Sequence, residues 1–165
     1  MAFLRMKEIK LTKNKITVVD DDDFENVNKW KWQLGSNGKR AEIKKWNKNK
    51  KIYEHFLMHR LIMKLQKGDK RQVDHINGDS LDNRKENLRI CTSTENNRNK
   101  FVVHAKSGYK GVYWDNLLDK WRVKIKGNNK QIHIGLFNNK EDAAKAYNDA
   151  AKRHHGKFAR LNIIK

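Results

Sequence analysis

Residues 72–99 read QVDHINGDSLDNRKENLRICTSTENNRN, and the reading of this stretch decides the fold. Two short apolar runs, 72–76 and 88–92, flank a loop, NGDSLDNRKEN, that is dense in turn-forming residues. Ser93 or Thr94 can then cap a short helix whose first turn carries Glu and Asn residues. The expected local order is strand, loop, strand, helix. No other part of the chain crowds a histidine, a carboxylate and several carboxamides between two apolar runs, so the chemistry is placed here.

On the N-terminal side, EIKLT and ITVVD are strand-like runs separated by KNK, and the acidic DDDFENVN offers a helix start. KWKWQL, RAEIKKW and KKIYEHFL follow as further strand candidates with GSNGK and NKNK as turns between them, a small antiparallel sheet. Trp30, Trp32 and Trp46 could stack on unpaired bases or close a small core, and the second use is expected because Trp supplies the most apolar area per residue. In MHRLIMKL, Met58, Leu61, Ile62 and Leu65 have helical spacing, which predicts one inward face with His59 and Arg60 pointing away from it. Arg60 can then touch a phosphate or be solvated, and His59 is expected to be structural or binding rather than catalytic.

On the C-terminal side, KFVVHAKSG has no clear period and marks a linker near residues 100–107. YKGVYWD, KWRVKIK and KQIHIGLF are strand-length runs separated by NLLD and GNN, followed by NKEDAAKAYNDAAKRHHG. That last segment reads as a helix with Asn139 as N-cap, Glu141 and Asp142 in the first turn, basic residues near the end and Gly156 as the stop. Strand alternation puts Trp121, Val123, Ile125, Ile132 and Ile134 on one face, with Arg122, Lys124, Lys126, Gln131 and His133 on the other. The stripe Ala143, Ala144, Tyr147, Ala150 and Ala151 lets the helix lie close to the apolar face. A basic β surface is left bare, of a kind that can enter the DNA major groove.

Composition says who the partner is. Thirty-eight Lys and Arg against 19 Asp and Glu give a formal charge of +19, spread from end to end, which points to a polyanion. An anionic membrane would need a long apolar run or a basic amphipathic helix with a broad apolar face, and neither is present. The start, MAFLRMKEIK, lacks the apolar core and cleavage site of a secretory signal, so an intracellular, cytoplasmic protein is expected. Cys91, the one cysteine, excludes an internal disulfide and any multi-cysteine zinc site, and reads as a small core residue in LRIC.

Hydrolysing a phosphodiester requires an activated water and positive charge at the phosphate and the departing oxygen. His75 can take the proton, and a divalent cation can supply the charge. Asp74 is a hard oxygen ligand and Asn96 offers a carboxamide oxygen, with Asn97 as its neighbour and rival. So sparse a donor set suits Mg²⁺ better than zinc. Asn87 is the candidate to accept a hydrogen bond from the second imidazole nitrogen and fix the tautomer.

HRLIM followed by VDHINGDSLDNRKENLRICTSTENNRN resembles the HNH endonucleases of homing and phage type. That resemblance implies a ββα-metal core that cuts DNA with one divalent ion, Mg²⁺ or Mn²⁺, per active site. By position it implies His75 as general base, Asn87 as the middle asparagine, Asn96 as the last motif residue and Asp74 as the acidic ligand. The family often has His at the last position, so Asn96 belongs with the subgroup that has Asn there. The C-terminal unit resembles the ethylene-response-factor (Apetala-type) DNA-binding domain through SGYKGVYW, KWRVKI, IHIGLF, EDAAKAYNDAA and FARLN. This adds Lys110 and Tyr113 to Lys124, Lys126, Gln131 and His133 as groove-facing residues.

The expected architecture is α+β. A β-rich platform (1–57) leads into the nuclease core (58–100), then a linker (101–107) and an Apetala-type domain (108–165) with a three-stranded antiparallel sheet on one helix. The expected activity is metal-dependent, site-directed cleavage or nicking of double-stranded DNA, in the host cell of a phage or mobile element. No obligate protein partner is evident, and a monomer is expected rather than a dimer. A non-catalytic DNA-binding protein and a structured-RNA nuclease are the alternatives.

Overall fold

The structure is a computed structural model describing residues 6–101, 106–127 and 130–164. Residues 102–105, within the expected linker and including His104, and 128–129, within the expected GNN turn, lie outside the described residues. Helices and small antiparallel sheets make the fold α+β. The chain divides into two compact units, Met1–Ser93 and Thr94–Lys165.

In the first unit, β1 (Met6–Lys10) pairs antiparallel with β2 (Ile16–Asp20) across the predicted KNK turn. Lys13 and Asn14 take the positive φ values of 60° and 54° that this turn needs. Helix α1 (Asp21–Val27) starts on Asp21, Asp22 and Asp23, carboxylates that favour the positive end of the helix. KWKWQL does not form the predicted strand: only β3 (Gln33–Leu34) is extended. The reason is Trp32, whose indole Nε1 donates to Val27 O at 2.8 Å and whose ring is buried, wrapping the chain around the end of α1. β4 (Ala41–Asn47) and β5 (Ile52–Leu57) complete a sheet of order β3-β4-β5. The three tryptophans therefore differ in use. Trp32 closes the core, whereas Trp30 and Trp46 are exposed, Trp46 tilted against Tyr53 with ring centroids 5.0 Å apart.

Helix α2 (Met58–Ile62) buries Met58 and Ile62 as predicted, but Leu61 is exposed and His59 is buried. The helix stops at Ile62 and Lys64 takes a left-handed φ of 54°, so Leu65 comes inward by a turn rather than by helical period. β6 (Gln72–His75) and β7 (Leu88–Cys91) form the antiparallel pair that the sequence predicts, and Cys91 is buried. One hydrophobic cluster contains Ile9, Val19, Trp32, Met58, Val73 and Leu88. The expected platform and the β6–β7 hairpin thus share a single core.

The second unit begins within α3 (Ser93–Asn99). β8 (Val112–Asp115), β9 (Lys120–Gly127) and β10 (Lys130–Phe137) form the antiparallel sheet β10-β9-β8. Helix α4 (Lys140–His155) packs the predicted stripe of Ala143, Ala144, Tyr147, Ala150 and Ala151 against Val112, Val123 and Ile125. Its N-cap is Asn139, whose Oδ1 accepts from Glu141 N at 2.7 Å and Asp142 N at 3.2 Å. Gly111, at φ 74°, must be glycine, because a Cβ there would collide with the ring of Tyr147. His155 is buried at the C-terminus of α4, its Nε2 2.8 Å from Lys126 O.

Candidate active site

Asp74 and His75 end β6, both buried at 5% and 8% exposure. The chain then turns away, with Gly78 at φ 85° and its N–H donating to His75 O at 2.9 Å. The loop from 76 to 87 is tied internally. Asn87 Oδ1 accepts from Asn77 N at 2.9 Å, and Asn87 Nδ2 donates to Asp82 O at 2.8 Å. Asn77 Nδ2 reaches Asp82 Oδ2 at 2.9 Å, and Arg84 clamps the same carboxylate, holding its pKa below the usual range. Asn87 is thus a brace across the loop. Its amide does not stand on the imidazole, contrary to the sequence expectation.

The amide that does so is Asn83, with Oδ1 3.2 Å from His75 Nε2. Asn83 lies inside the 72–99 stretch, but sequence reasoning misses it because its own anchor is Thr17, far away in the chain. Arg89 is missed as well. It pairs with Asp74 across the β6–β7 ladder and donates to Asp74 Oδ2 from Nε at 2.8 Å and Nη2 at 2.5 Å. The hairpin register holds that signal, since residues directly opposite on one face interact.

His59 meets the His75 ring edge-on, with centroids 5.2 Å apart. Burial, reinforced by His75, Arg40 and Arg60, pushes its pKa down to about 3, so it packs as a neutral ring. Burial also lowers the pKa of His75, although Asn83 and Asp74 oppose the shift, which favours the neutral imidazole that a base requires. Among the described residues no group of three or more His, Cys, Asp or Glu side chains could hold a metal unaided. A carboxylate with a carboxamide is instead a donor set for a hard divalent ion that keeps waters and substrate oxygens as ligands. Asn96 lies on α3 and is half-buried, while Asn97 beside it is exposed.

Arg60 is not presented to a ligand. Its guanidinium donates to Arg71 O at 2.8 Å, Asp69 O at 3.0 Å and Gln66 O at 3.1 Å, closing the loop after α2. Lys110 is engaged in the same way. Its Nζ donates to Arg98 O and Lys100 O, both at 2.6 Å, and burial with Arg160 nearby pushes its pKa down to about 8. The remaining residues of the predicted face are together. The register pairs Tyr113 with Arg122, His133 with Lys124 and Gln131 with Lys126, putting all six on one side of the sheet. Arg122 is ion-paired there with Asp115, while Lys126, Gln131 and His133 are exposed.

Residues 56–98 match the family model described as HNH endonuclease, and the chain carries an HNH endonuclease domain there. A nuclease domain implies a nucleic-acid substrate. The chain is 33% identical to protein 3.8 of Escherichia phage T7 over 90 residues, covering 54% of this chain and 74% of that protein, and it belongs to one family with it. It is 28% identical over 152 residues to an uncharacterized HNH endonuclease of Acanthamoeba polyphaga mimivirus, covering 92% of this chain and 77% of the relative. A shorter match, 48% over 42 residues, is to an ethylene-responsive transcription factor-like protein of Arabidopsis thaliana and covers 26% of this chain and 18% of that protein. No solved structure matches. Among the described residues no helix is long and apolar enough to cross a membrane.

Proposed function

We propose that the protein is a divalent-metal-dependent, site-directed DNA endonuclease. The observation that carries this reading is His75, buried at the end of β6 beside Asp74, with an amide on one ring nitrogen and its pKa lowered toward the neutral form. His75 takes the proton of the attacking water. Asp74 and Asn96 would hold a divalent ion, Mg²⁺ or Mn²⁺, and Arg89 orients the Asp74 carboxylate. When bound, the ion supplies positive charge at the scissile phosphate and the departing oxygen. Asn87 keeps the loop after His75 in place. One hydrolytic site per chain makes a nick the simplest product of a monomer.

Duplex DNA is the proposed substrate because Tyr113, Arg122, Lys124, Lys126, Gln131 and His133 make one basic sheet face, and a β surface of this kind can enter the major groove. The similarity of 42 residues to a transcription-factor-like protein supports the same use. The test is conversion of supercoiled plasmid to nicked or linear form. It should require a divalent ion and stop with EDTA and with His75→Ala. Full activity of His75→Ala, or activity that survives EDTA, would sink the mechanism. A mobility shift without cleavage under several divalent ions would leave a DNA-binding protein, and preferential cleavage of structured RNA would move the substrate.

A further inference from the structure

A buried chain of hydrogen bonds runs from the β1–β2 hairpin to His75, and its direction can be worked out. Thr17 Oγ1 donates to Leu81 O at 2.6 Å, and a hydroxyl has one proton to give. Toward Asn83 it can therefore only accept, and Asn83 Nδ2 donates to it at 2.7 Å. That contact decides which end of the amide is nitrogen and which is oxygen. Oδ1 is left facing His75 Nε2 at 3.2 Å. A carbonyl oxygen cannot donate, so Nε2 carries the proton. In a neutral imidazole the lone pair then belongs to Nδ1.

The chain is anchored along its length. Val18 N donates to Leu81 O at 3.0 Å and Asn83 N donates to Val18 O at 2.8 Å. Val18 and Asp82 form a parallel β-bridge, so β2 holds the loop 81–83 as if it were a short neighbouring strand. Thr17 and Asn83 are both 0% exposed, which removes water as a competing partner and leaves each group with the direction its neighbours impose.

We propose that Asn83 and Thr17 are positioning residues that hold His75 as the Nε2–H tautomer, making Nδ1 the atom that takes the proton from water. The inference rests on His75 being the base of the proposed nuclease. It gives the N-terminal hairpin a part in the chemistry: β2 sets the orientation of a side chain that acts on a base carried by β6. Asn87 acts through the loop instead, by bonds to the backbone at Asn77 and Asp82.

The test uses the full chain with Thr17→Val, which keeps shape and removes the acceptor, Thr17→Ser, which restores it, and Asn83→Ala. Imidazole ¹⁵N–¹H correlation spectra of metal-free protein, with His75 assigned by its loss in His75→Gln, read the tautomer directly. Wild type and Thr17→Ser should show the proton on Nε2. Thr17→Val and Asn83→Ala should show a mixture or the other tautomer, and turnover at saturating DNA should fall about 10- to 100-fold with KM unchanged. A proton on Nδ1 in wild type, or an unaltered tautomer and turnover in both variants, would overturn the proposal. If Asn83→Ala fails to fold, the Thr17 pair decides. If wild type cleaves neither DNA nor RNA, the nuclease reading fails, and the spectra still decide whether the relay sets the tautomer.

Discussion

The two units place their polar side chains in opposite ways. Among the described residues the first buries ten, namely Thr17, Asp20, Asp23, Glu42, His59, Asp74, His75, Asp82, Asn83 and Asn87, whereas the second buries four, Asn99, Ser107, His155 and Asn162. The second unit keeps a core of Ala, Val, Ile and Tyr147 and turns its cations outward on one sheet face. Under the proposed function, the difference follows from what each must do. A surface that meets a polyanion works in water and needs only the right charges at the right pitch. A base that must be neutral and aimed requires an interior, where each buried polar group has to find a partner.

The strongest break in that comparison comes from the inside. His75→Ala should cost about 10²- to 10⁴-fold in turnover, the usual worth of a positioned general base. DNA affinity measured by anisotropy in the absence of metal should be unchanged. If binding fell in parallel, the buried groups would be supporting the binding surface rather than the chemistry, and the division of labour would be wrong.

The same contrast explains what can be read from sequence. The second unit is legible almost residue by residue, because period two in β9 and β10 and period 3.6 in α4 are local signals. Asn139 and Gly156 mark the ends of that helix in the sequence itself. In the first unit the hairpin of β6 and β7 is legible, but the partner of His75 is not. Asn83 is oriented by Thr17, 66 residues away, through a side-chain bond that leaves no periodic trace. Arg60 and Lys110 look like free cations because charge in a sequence does not say whether a carbonyl waits beside it. Both donate to backbone carbonyls instead.

The pH dependence of stability should next test the buried histidine beside His75. His59 is held neutral with a pKa near 3 against an ordinary 6.5, so between those values the unfolded chain binds more protons than the folded one. Stability is therefore fully present above pH 6.5 and falls as pH drops through the window, by an amount on the order of a few kcal/mol for a buried histidine. His59→Phe keeps the ring against His75 and removes the ionisable group. Urea titrations between neutral pH and pH 4 should show a shallower acid loss in this variant, with a residual slope from His75 and His155, both shifted in the same direction. An unchanged acid limb would mean that His59 is hydrated in solution.

From the outside, Lys124→Glu combined with Lys126→Glu should weaken DNA binding while leaving cleavage under single-turnover, saturating conditions close to normal. The plot of log K against log salt should become shallower by about 0.9 for each phosphate that is no longer neutralised. A slope equal to wild type would remove these two lysines from the interface and leave Gln131, His133 and Tyr113 to account for it.

The smallest effect isolates the second unit. Asn139 Oδ1 satisfies two N–H groups at the start of α4, and α4 supplies much of the hydrophobic cluster beneath the basic sheet. Asn139→Ala should cost about 1 kcal/mol, the usual worth of an N-cap. Asn139→Asp should retain that stabilisation, because a carboxylate also accepts from both amides and suits the positive end of the helix. Hydrogen exchange is the suitable readout because it is local. Amides of β8, β9 and α4 should lose protection in Asn139→Ala, and those of β2 and β6 should not. Equal loss in both units would show that they unfold as one cooperative body. The buried relay around His75 would then depend on the helix that packs on the basic sheet, and the proposed interior chemistry and exterior binding would no longer be independent.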